Sequence, residues 1–339
     1  MTKKVVISGY YGSDNFGDET ILKVLVDKLK QNKDIDITIL SLNPEKTSAI
    51  HKVKAIKSFD LMKVITTIMK SDILISGGGS LLQDATSIKS LFYYLFVISI
   101  AEFFHKKVMI FAQGIGPINN KFGQIWCKNL LKKAKCVTVR DDKSLFLLRG
   151  WGIDAKRVVD PLFALNLAGS TPTDTVGIQL RSFKGLSETF LQKLATSVEQ
   201  NFYNKKIQIF SFQDELDKKV CTHFEGMLKS LNPNMQTEVV YDKTPQELIE
   251  LMRNLKYMIA MRFHACLICA KYGVKTLALS YDYKVERLAE DLKLPFTNIK
   301  PDVNLDFFIN QMRNIDRSQL LTIVNSKEFD WSYLENLIK

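Results

Sequence analysis

Short apolar runs rich in β-branched residues alternate along the chain with longer segments that repeat apolar positions at helical spacing. In the first half, the runs that predict strands cover residues 5–9, 35–40, 73–76, 108–112 and 136–139. Helical patterns lie between them, for example over residues 19–31 and 124–133. Strands that alternate with helices are typical of a parallel sheet covered on both faces.

The second half repeats this alternation. Its predicted strands cover residues 175–180, 206–210, 237–240, 257–261 and 275–280, with helical patterns between them such as 188–202 and 245–255. Residues 165–174 are small and polar, with a glycine and a proline, as in an interdomain linker. We therefore expect an α/β protein with two doubly wound Rossmann-like domains facing a cleft, formed by residues 1–165 and 175–304. Residues 305–339 predict helices that could pack back on the first domain.

The net charge of the chain indicates which kinds of partner it could bind. The chain has 339 residues and a formal net charge of +11, which favours anionic partners such as phosphorylated metabolites, nucleic acid or an anionic membrane face. A lysine-rich surface is the plainer interpretation of the same charge. Because no recognition-helix motif or aromatic-basic platform is visible, a non-enzymatic protein that binds anionic polymers ranks low, and we expect no nucleic acid as partner.

One segment has two interpretations. Residues 90–101 are nearly all apolar, but they are too few to span a bilayer. We expect a helix packed in the core; the alternative is a helix in the membrane interface whose basic flank meets anionic lipid. The N-terminal sequence MTKKVVISGYYG has no signal-peptide pattern, so we expect a cytoplasmic protein, in peripheral contact with the inner face of the membrane at most.

The cysteines predict no metal site and no disulfide. Five are present, and only Cys266 and Cys269 form a C-x-x-C pair, without the second pair that a zinc site needs. We therefore expect no metal and no cofactor.

Glycine and polar residues follow the predicted strands of the first domain. Ligands of open parallel sheets bind beyond the carboxyl ends of the strands, so these positions are the ones to examine. The loop after the first strand reads GYYGSDNFGDE, and three consecutive glycines follow the third strand. Neither loop has the spacing of a dinucleotide or P-loop fingerprint. We expect a ligand site here, and the candidate residues are Asp14, Asn15, Asp18, Gly78, Gly79 and Gln83.

Cations follow other strands. Arg140 ends the fifth strand of the first domain, and Arg262 and His264 directly follow a buried strand of the second. Arg181 and Lys284 follow two further strands of the second domain. Guanidinium groups bind carboxylate and phosphate through two parallel hydrogen bonds, and a histidine can move a proton near neutral pH. These residues predict a site for a small anionic substrate.

Six sequence segments, in the order in which they occur along the chain, resemble the polysaccharide pyruvyl transferase family, especially the CsaB-like bacterial cell-wall enzymes. They read GYYGSDNFGDE, ISGGGSLLQD, FAQGIGP, VTVRDDKSL, VVDPLFAL and MRFHACLICAKYG. The resemblance implies a glycosyltransferase-B-like pair of domains, phosphoenolpyruvate as donor, and a sugar diol as acceptor in a secondary cell-wall polymer precursor. The acceptor is similar to a lipid-linked disaccharide with N-acetylmannosamine.

The resemblance also implies roles. The family's donor-site arginines, histidine and lysine fall on Arg140, Arg262, His264 and Lys284, with Arg181 and Phe263 beside them; Phe263 stands where many relatives have leucine. His264, Arg262 and Lys284 would be catalytic, and the polar and glycine residues of the first domain would bind the acceptor.

One enzymatic alternative remains open. A nucleotide-sugar glycosyltransferase would have the same architecture, and it would need a carboxylate for the ribose, for which Glu286 is a candidate.

Overall fold

The computed structural model describes residues 2–165, 169 and 171–339, which form two compact units, each with its own parallel sheet. The first unit contains Met1–Leu165 and Glu328–Lys339, and the second contains Asn166–Lys327. The predicted linker, residues 165–174, includes residues 166–168 and 170, which lie outside the described part. The expected α/β class with two Rossmann-like domains is confirmed.

The first unit has a seven-stranded sheet in the order β3-β2-β1-β4-β5-β6-β7. Its strands are β1 Lys3–Ser8, β2 Ile35–Ser41, β3 Lys54–Lys57, β4 Ile73–Ser76, β5 Lys107–Gln113, β6 Cys136–Val139 and β7 Lys156–Arg157. Its helices are α1 Phe16–Leu29, α2 Pro44–His51, α3 Leu61–Met69, α4 Ile88–Phe103, α5 Lys121–Leu131 and α6 Asp142–Gly150. In the central register, Val5 pairs with both Ile37 and Ile73.

The second unit has a six-stranded sheet in the order β10-β9-β8-β11-β12-β13. Its strands are β8 Thr175–Gln179, β9 Lys206–Phe210, β10 Thr237–Val240, β11 Tyr257–Ala260, β12 Lys275–Ser280 and β13 Phe296–Asn298. Its helices are α7 Glu188–Phe202, α8 Asp214–Leu231, α9 Pro245–Arg253, α10 Phe263–Lys271, α11 Tyr283–Leu292, α12 Leu305–Arg313 and α13 Arg317–Asn325.

The chain end returns to the first unit. Helix α14, Ser332–Ile338, belongs to the segment that packs there. The ring of Phe111 on β5 stacks on Trp331 at 6.0 Å and lies 5.4 Å from Phe329. Lys28 pairs with Glu335 at 2.6 Å. The preceding helices α12 and α13 stay with the second unit, where Leu305, Ile309 and Met312 join its core.

Several element ends differ from the sequence prediction because capping side chains, rather than apolar spacing, fix them. The helix predicted over residues 19–31 begins at Phe16, since Asn15 accepts a hydrogen bond from the Gly17 N–H. The helix predicted over residues 124–133 begins at Lys121, because Asn120 accepts from the Gly123 N–H. An Asn at the N-cap satisfies a donor that the first helical turn leaves without a backbone partner.

Helix α4 contains the apolar segment that had two interpretations. Seven of its side chains are buried: Leu91, Tyr94, Leu95, Val97, Ile98, Ile100 and Ala101. They join the core of the first unit, so this helix packs against the sheet, as expected. Among the described residues, no helix is long and apolar enough to cross a bilayer.

Candidate functional site

The glycines of the first unit mainly make room for neighbouring side chains. Tyr11 is fully buried, and its ring lies so close to two glycines that a Cβ would come within 2.3 Å of it at Gly9 and 1.9 Å of its hydroxyl at Gly77. A Cβ at Gly78 would lie 2.7 Å from Ile21. Three consecutive glycines are therefore explained by close packing of β4 against α1 and the loop before it.

The predicted acceptor residues lie at the carboxyl end of β1 and β4. Asp18 lies beside Gly79, where a Cβ would come within 2.5 Å of its Oδ1 atom. Asp14 has a positive φ of 58° and pairs with Lys46 at 2.7 Å, while its side chain stays 64% exposed. The Asn15 side chain is used as the N-cap of α1. These residues form one cluster at the carboxyl edge of the first sheet.

Gln83 is engaged inside its own loop. Its Oε1 atom accepts from the Thr86 N–H at 3.1 Å, and its Nε2 atom lies 2.5 Å from the Thr86 hydroxyl. The structure therefore gives Gln83 a local role in shaping the β4–α4 loop, and its contact with a sugar acceptor stays a prediction.

Glu19 is a buried carboxyl group beneath the loop after β1. Its Oε1 atom accepts from the Gly12 N–H at 2.6 Å, and only 7% of the residue is exposed. Burial is the main cause that raises its pKa from 4.5 to about 7, and the Gly12 hydrogen bond partly opposes this. Glu19 thus fixes the same loop that carries Asp14. The sequence did not single out Glu19, because acidic residues are common in the first turn of a helix.

Arg140 follows β6 in the first unit and is held by protein groups. Its Nη1 atom donates to Asp160 at 2.6 Å, and Nη2 donates to the Ser80 hydroxyl at 3.4 Å. The side chains of Arg140 and Asp160 are 11% and 2% exposed. A buried carboxylate therefore orients this guanidinium, and the sequence signal for it was the Asp160-Pro161 turn in the segment VVDPLFAL.

Arg262 is held in the same way in the second unit. Its backbone N–H donates to Gln179 Oε1 at 2.8 Å, and its Nη2 atom donates to Asp217 Oδ2 at 2.6 Å. Asp217 is fully buried, and its other oxygen accepts from the Ser182 N–H at 3.3 Å. The Nε atom of Arg262 is buried and lacks a hydrogen-bond partner among the described residues. The guanidinium is thus preorganised with donor capacity left over.

Asp217 was missed by sequence reasoning, although a signal was present. It occupies the apolar stripe of α8, in line with Cys221, Phe224 and Leu228, which are all buried. A carboxylate at such a position is buried and needs a cationic or hydrogen-bonding partner.

Helix α10 begins directly at the end of β11, immediately after Arg262. In the described structure no side chain caps its N-terminus. Phe263 and His264 form its first turn, with their rings edge to face at 5.1 Å, and His264 Nε2 is buried. The positive end of a helix dipole stabilises a nearby anion. The arrangement combines a helix N-terminus, a guanidinium and an imidazole.

Neighbouring strands bring further cations to this edge. Since β8, β11 and β12 are adjacent, Arg181, Arg262 and Tyr281 follow three neighbouring strands at their carboxyl ends. The Arg181 Nη1 atom donates to the Tyr281 hydroxyl at 2.6 Å, and its guanidinium lies 5.1 Å from that ring's centre. Lys284 stands in the first turn of α11, which Asp282 caps at 2.7 Å. The second unit thus collects four of the five predicted cations, and Arg140 belongs to the first.

Other candidate groups have structural explanations. Cys266 and Cys269 are buried, and burial raises the pKa of the Cys266 thiol to about 12, so the thiolate is disfavoured. Glu286, the candidate ribose partner, accepts from the Ser280 hydroxyl at 3.1 Å. Within the described ranges, no three His, Cys, Asp or Glu residues group as a metal site would require.

A sequence model of the polysaccharide pyruvyl transferase family matches residues 15–283, which is most of the chain. No curated protein sequence matches the chain significantly.

Solved structures are similar over the whole chain at low identity. UDP-GlcNAc 2-epimerase from Methanocaldococcus jannaschii has a TM-score of 0.68 at 11% identity, over 96% of this chain and 99% of that one. The Neisseria meningitidis UDP-GlcNAc 2-epimerase bound to UDP-GlcNAc has a TM-score of 0.64 at 11% identity, over 99% of each chain. Anabaena HepE in complex with UDP and glucose has a TM-score of 0.63 at 12% identity, over 99% and 98%. At such identities the likeness shows the glycosyltransferase-B-like fold alone.

Proposed function

The chain belongs to the polysaccharide pyruvyl transferase family, and from this premise we propose that it transfers the pyruvyl group of phosphoenolpyruvate to two hydroxyls of a sugar in a cell-wall polysaccharide precursor. The product is a cyclic pyruvate ketal, and inorganic phosphate is released. The observation that carries the proposal is the preorganised Arg262, held by Asp217 and Gln179 at the uncapped start of α10.

Binding of the proposed pyruvyl donor requires cationic side chains. Phosphoenolpyruvate has a carboxylate and a phosphate, and planar guanidinium groups match both. We assign its binding in the second unit to Arg262, Arg181, Lys284 and the first turn of α10 with Phe263. Hydrogen-bond donors that are fixed before the substrate arrives need no reorganisation during the reaction, and this lowers the activation barrier. Arg140, in the first unit, is a further candidate to bind the donor or the departing phosphate.

The reaction balances without a cofactor. A proton adds to C3 of phosphoenolpyruvate, which makes the methyl group and leaves an oxocarbenium-like centre at C2. One sugar hydroxyl adds to C2 and loses its proton. The second hydroxyl then replaces phosphate at C2 and closes the ketal, and its proton leaves with the phosphate as hydrogen phosphate. We assign His264 to proton transfer, a contribution of roughly 10²–10⁴-fold for general acid–base catalysis.

The acceptor side belongs to the first unit in this proposal. Asp14, Asn15 and Asp18 offer carboxylate and amide groups to sugar hydroxyls, and the Gly78–Gly79 backbone lies beside Asp18. We propose a lipid-linked saccharide as acceptor and the inner face of the membrane as the place of reaction.

Ligand-induced thermal stabilisation tests the donor. Phosphoenolpyruvate should raise the melting temperature of the parent protein, because a ligand that binds only the folded state stabilises it. Arg262→Lys should lose most of this shift, while Arg287→Lys, a surface arginine that is 45% exposed, should keep it. Stabilisation by UDP or UDP-GlcNAc, and none by phosphoenolpyruvate, would instead support a nucleotide-sugar enzyme.

A further inference from the structure

Three helices of the first unit present large apolar side chains to solvent. Phe122 and Ile125 of α5 are 65% and 60% exposed, and Met62 of α3 is 72% exposed. Phe59, just before α3, is 63% exposed. We call the aromatic face the set of six exposed residues and two partly buried rings between them: Phe59, Leu61, Met62, Ile88, Phe122 and Ile125, with Phe92 and Trp126.

The aromatic face is continuous. Helices α3, α4 and α5 pack side by side over one core, with α4 in the middle. On α4, Tyr93 lies 5.2 Å from Phe59, and its neighbour Phe92 lies 6.1 Å from Phe122 and 6.0 Å from Trp126. These contacts link the start of α3 to α5 across α4.

Such a surface needs an explanation. The outer side of a helix that covers a sheet is normally polar, because only the inner stripe has to be buried. Single exposed apolar residues are common, whereas a contiguous set across three helices marks an interaction surface. The inner stripes of these helices are already used, since Val64, Leu95 and Leu130 lie in the core.

The charges around the aromatic face have one predominant sign. Within α3, α4 and α5 the basic residues are Lys63, Lys89, Lys121 and Lys128, and Glu102, near the end of α4, is the one acid. Lys89 and Lys121 are exposed and stand in the first turns of α4 and α5, beside Ile88 and Phe122. Apolar rings bordered by lysines fit the interface of an anionic bilayer, where rings enter the headgroup boundary and ammonium groups meet lipid phosphates.

The nearest acids on the loops are already engaged. Asp60 caps α3 and pairs with Lys63 at 3.1 Å. Asp84 accepts from the N–H groups of Asn119 and Asn120, both at 2.7 Å, and so fixes the loop before α4 to the loop before α5. These bonds lower the pKa of the Asp84 carboxyl. The starts of α4 and α5 are thus held together as one rigid surface.

The aromatic face lies towards the carboxyl edge of the first sheet. Helices α3, α4 and α5 each follow a strand of the parallel sheet, so their N-terminal ends lie at its carboxyl edge. The loop with Gly78 and Gly79 also leaves β4 at this edge and leads into α4.

We propose that the aromatic face is a docking surface for an anionic lipid bilayer, which holds the carboxyl edge of the first sheet against the membrane. Phe59, Met62, Phe122 and Ile125 insert into the headgroup region, while Lys89 and Lys121 contact lipid phosphates. The docking follows from the surface itself; its use, presenting the acceptor loops to a lipid-linked saccharide, rests on the proposed function.

Vesicle flotation without any substrate tests the surface separately from catalysis. The full chain should float with vesicles of phosphatidylcholine and phosphatidylglycerol, and much less with phosphatidylcholine alone. Phe122→Glu with Ile125→Glu should weaken the partition by at least ~10-fold, because two insertion groups become charged. Lys89→Glu with Lys121→Glu should also weaken it, and high salt should weaken the parent protein.

The matched control lies on the second unit, where Phe307 is 55% exposed on α12. Phe307→Glu should float like the parent, and circular dichroism should show all variants folded. The proposal is overturned if the parent fails to float at low salt, or if Phe307→Glu loses as much binding as the double variant. A concentration-dependent dimer that Phe122→Glu abolishes, with no vesicle binding, would assign the face to a second copy of the chain. None of these results decides whether the protein binds phosphoenolpyruvate, which the thermal-stabilisation experiment tests separately.

Discussion

Arg262 and His264 are near neighbours in sequence, and we expect their substitutions to fail differently. Arg262→Lys loses the planar fork but keeps the charge, so it should mainly raise KM for phosphoenolpyruvate. His264→Gln keeps size and polarity but cannot carry a proton, so it should mainly lower kcat, by at least ~10²-fold. Steady-state phosphate release measures both. If His264→Gln keeps near-full kcat, proton transfer has to be reassigned, with Lys284 as the next candidate.

Glu19 makes stability depend on pH in a defined window. Its pKa is 4.5 ordinarily and about 7 in the folded protein. Between these values the folded state binds more protons than the unfolded state, so this group lowers the free energy of unfolding as pH rises. This decrease in the free energy of unfolding is complete above pH ~7. At ~1.4 kcal/mol per tenfold change in proton affinity, it amounts to at most about 3 kcal/mol.

Glu19→Gln should therefore gain stability over the parent as pH rises from ~4.5 to ~7, and the difference should stay constant above that. Denaturant unfolding at a series of pH values measures it. Buried His51, whose pKa burial lowers to about 4, gives the opposite slope, but it is present in both proteins and cancels in the difference. Glu45→Gln, at an exposed first-turn position of α2, is the matched control. A difference that does not change with pH would contradict the assignment.

Arg262, His264 and Arg181 could be singled out from the sequence because each follows a buried strand. Residues at that position lie at the carboxyl edge of a parallel sheet, where ligands bind. The carboxylate partner of Arg262 was not predicted, because this pairing depends on how helix α8 packs. Asp217 stands 45 residues before Arg262 in the chain, and only the packing of α8 brings them to 2.6 Å. Gly78 and Gly79 were predicted as ligand residues, and the structure shows that Ile21 and Asp18 lie close to them.

At the level of elements, Asp217 links the first turn of α8 to the start of α10. Asp217→Asn should destabilise the protein by about 3 kcal/mol, because losing one partner of a buried pair leaves the other charge uncompensated. It should also weaken phosphoenolpyruvate binding, since Arg262 loses its orientation. Chemical denaturation and ligand titration measure the two effects.

Asp291→Asn is the matched control for that change. Asp291 pairs with Arg287 at 3.5 Å, at a position where both side chains are substantially exposed. Surface pairs of this kind contribute about 0–1 kcal/mol. Equal effects of the two substitutions would show that the Asp217–Arg262 pair does not organise the start of α10.

The central strands were predicted, whereas three of the four edge strands, β3, β7 and β13, were not; the edge strand β10 was predicted at residues 237–240. Strands buried on both faces read as continuous apolar runs, as in Ile73–Ser76. The edge strand Lys54–Lys57 has the sequence KAIK, and Lys156–Arg157 has two residues, so neither produces an apolar signal. Helix α4 was ambiguous because it is apolar on nearly every side; the structure shows that its core face is filled, that Ile88 is exposed and that Phe92 is partly buried.

At the scale of the whole molecule, the repeated alternation of strands and helices was sufficient to predict two Rossmann-like domains. Residues 305–339 were expected to pack back on the first domain, and only residues 328–339 do so: Phe329, Leu334 and Leu337 are buried in the first unit, whereas α12 and α13 stay with the second. The net charge of +11 suggested an anionic partner without placing it. We propose two anionic partners for this charge: lipid phosphates at the aromatic face, and phosphoenolpyruvate at the cations after β8, β11 and β12.

Pyruvyl transfer to a sugar is tested by following both products of one reaction. The enzyme is incubated with phosphoenolpyruvate labelled with ¹³C at C2 and a lipid-linked disaccharide containing N-acetylmannosamine, with and without a chelator. We expect a new ¹³C ketal carbon attached to the saccharide, one phosphate released per ketal, no effect of the chelator, and loss of both products in His264→Gln. Labelled free pyruvate in place of the ketal, or glycosyl transfer from UDP-GlcNAc with no reaction of phosphoenolpyruvate, would contradict this expectation.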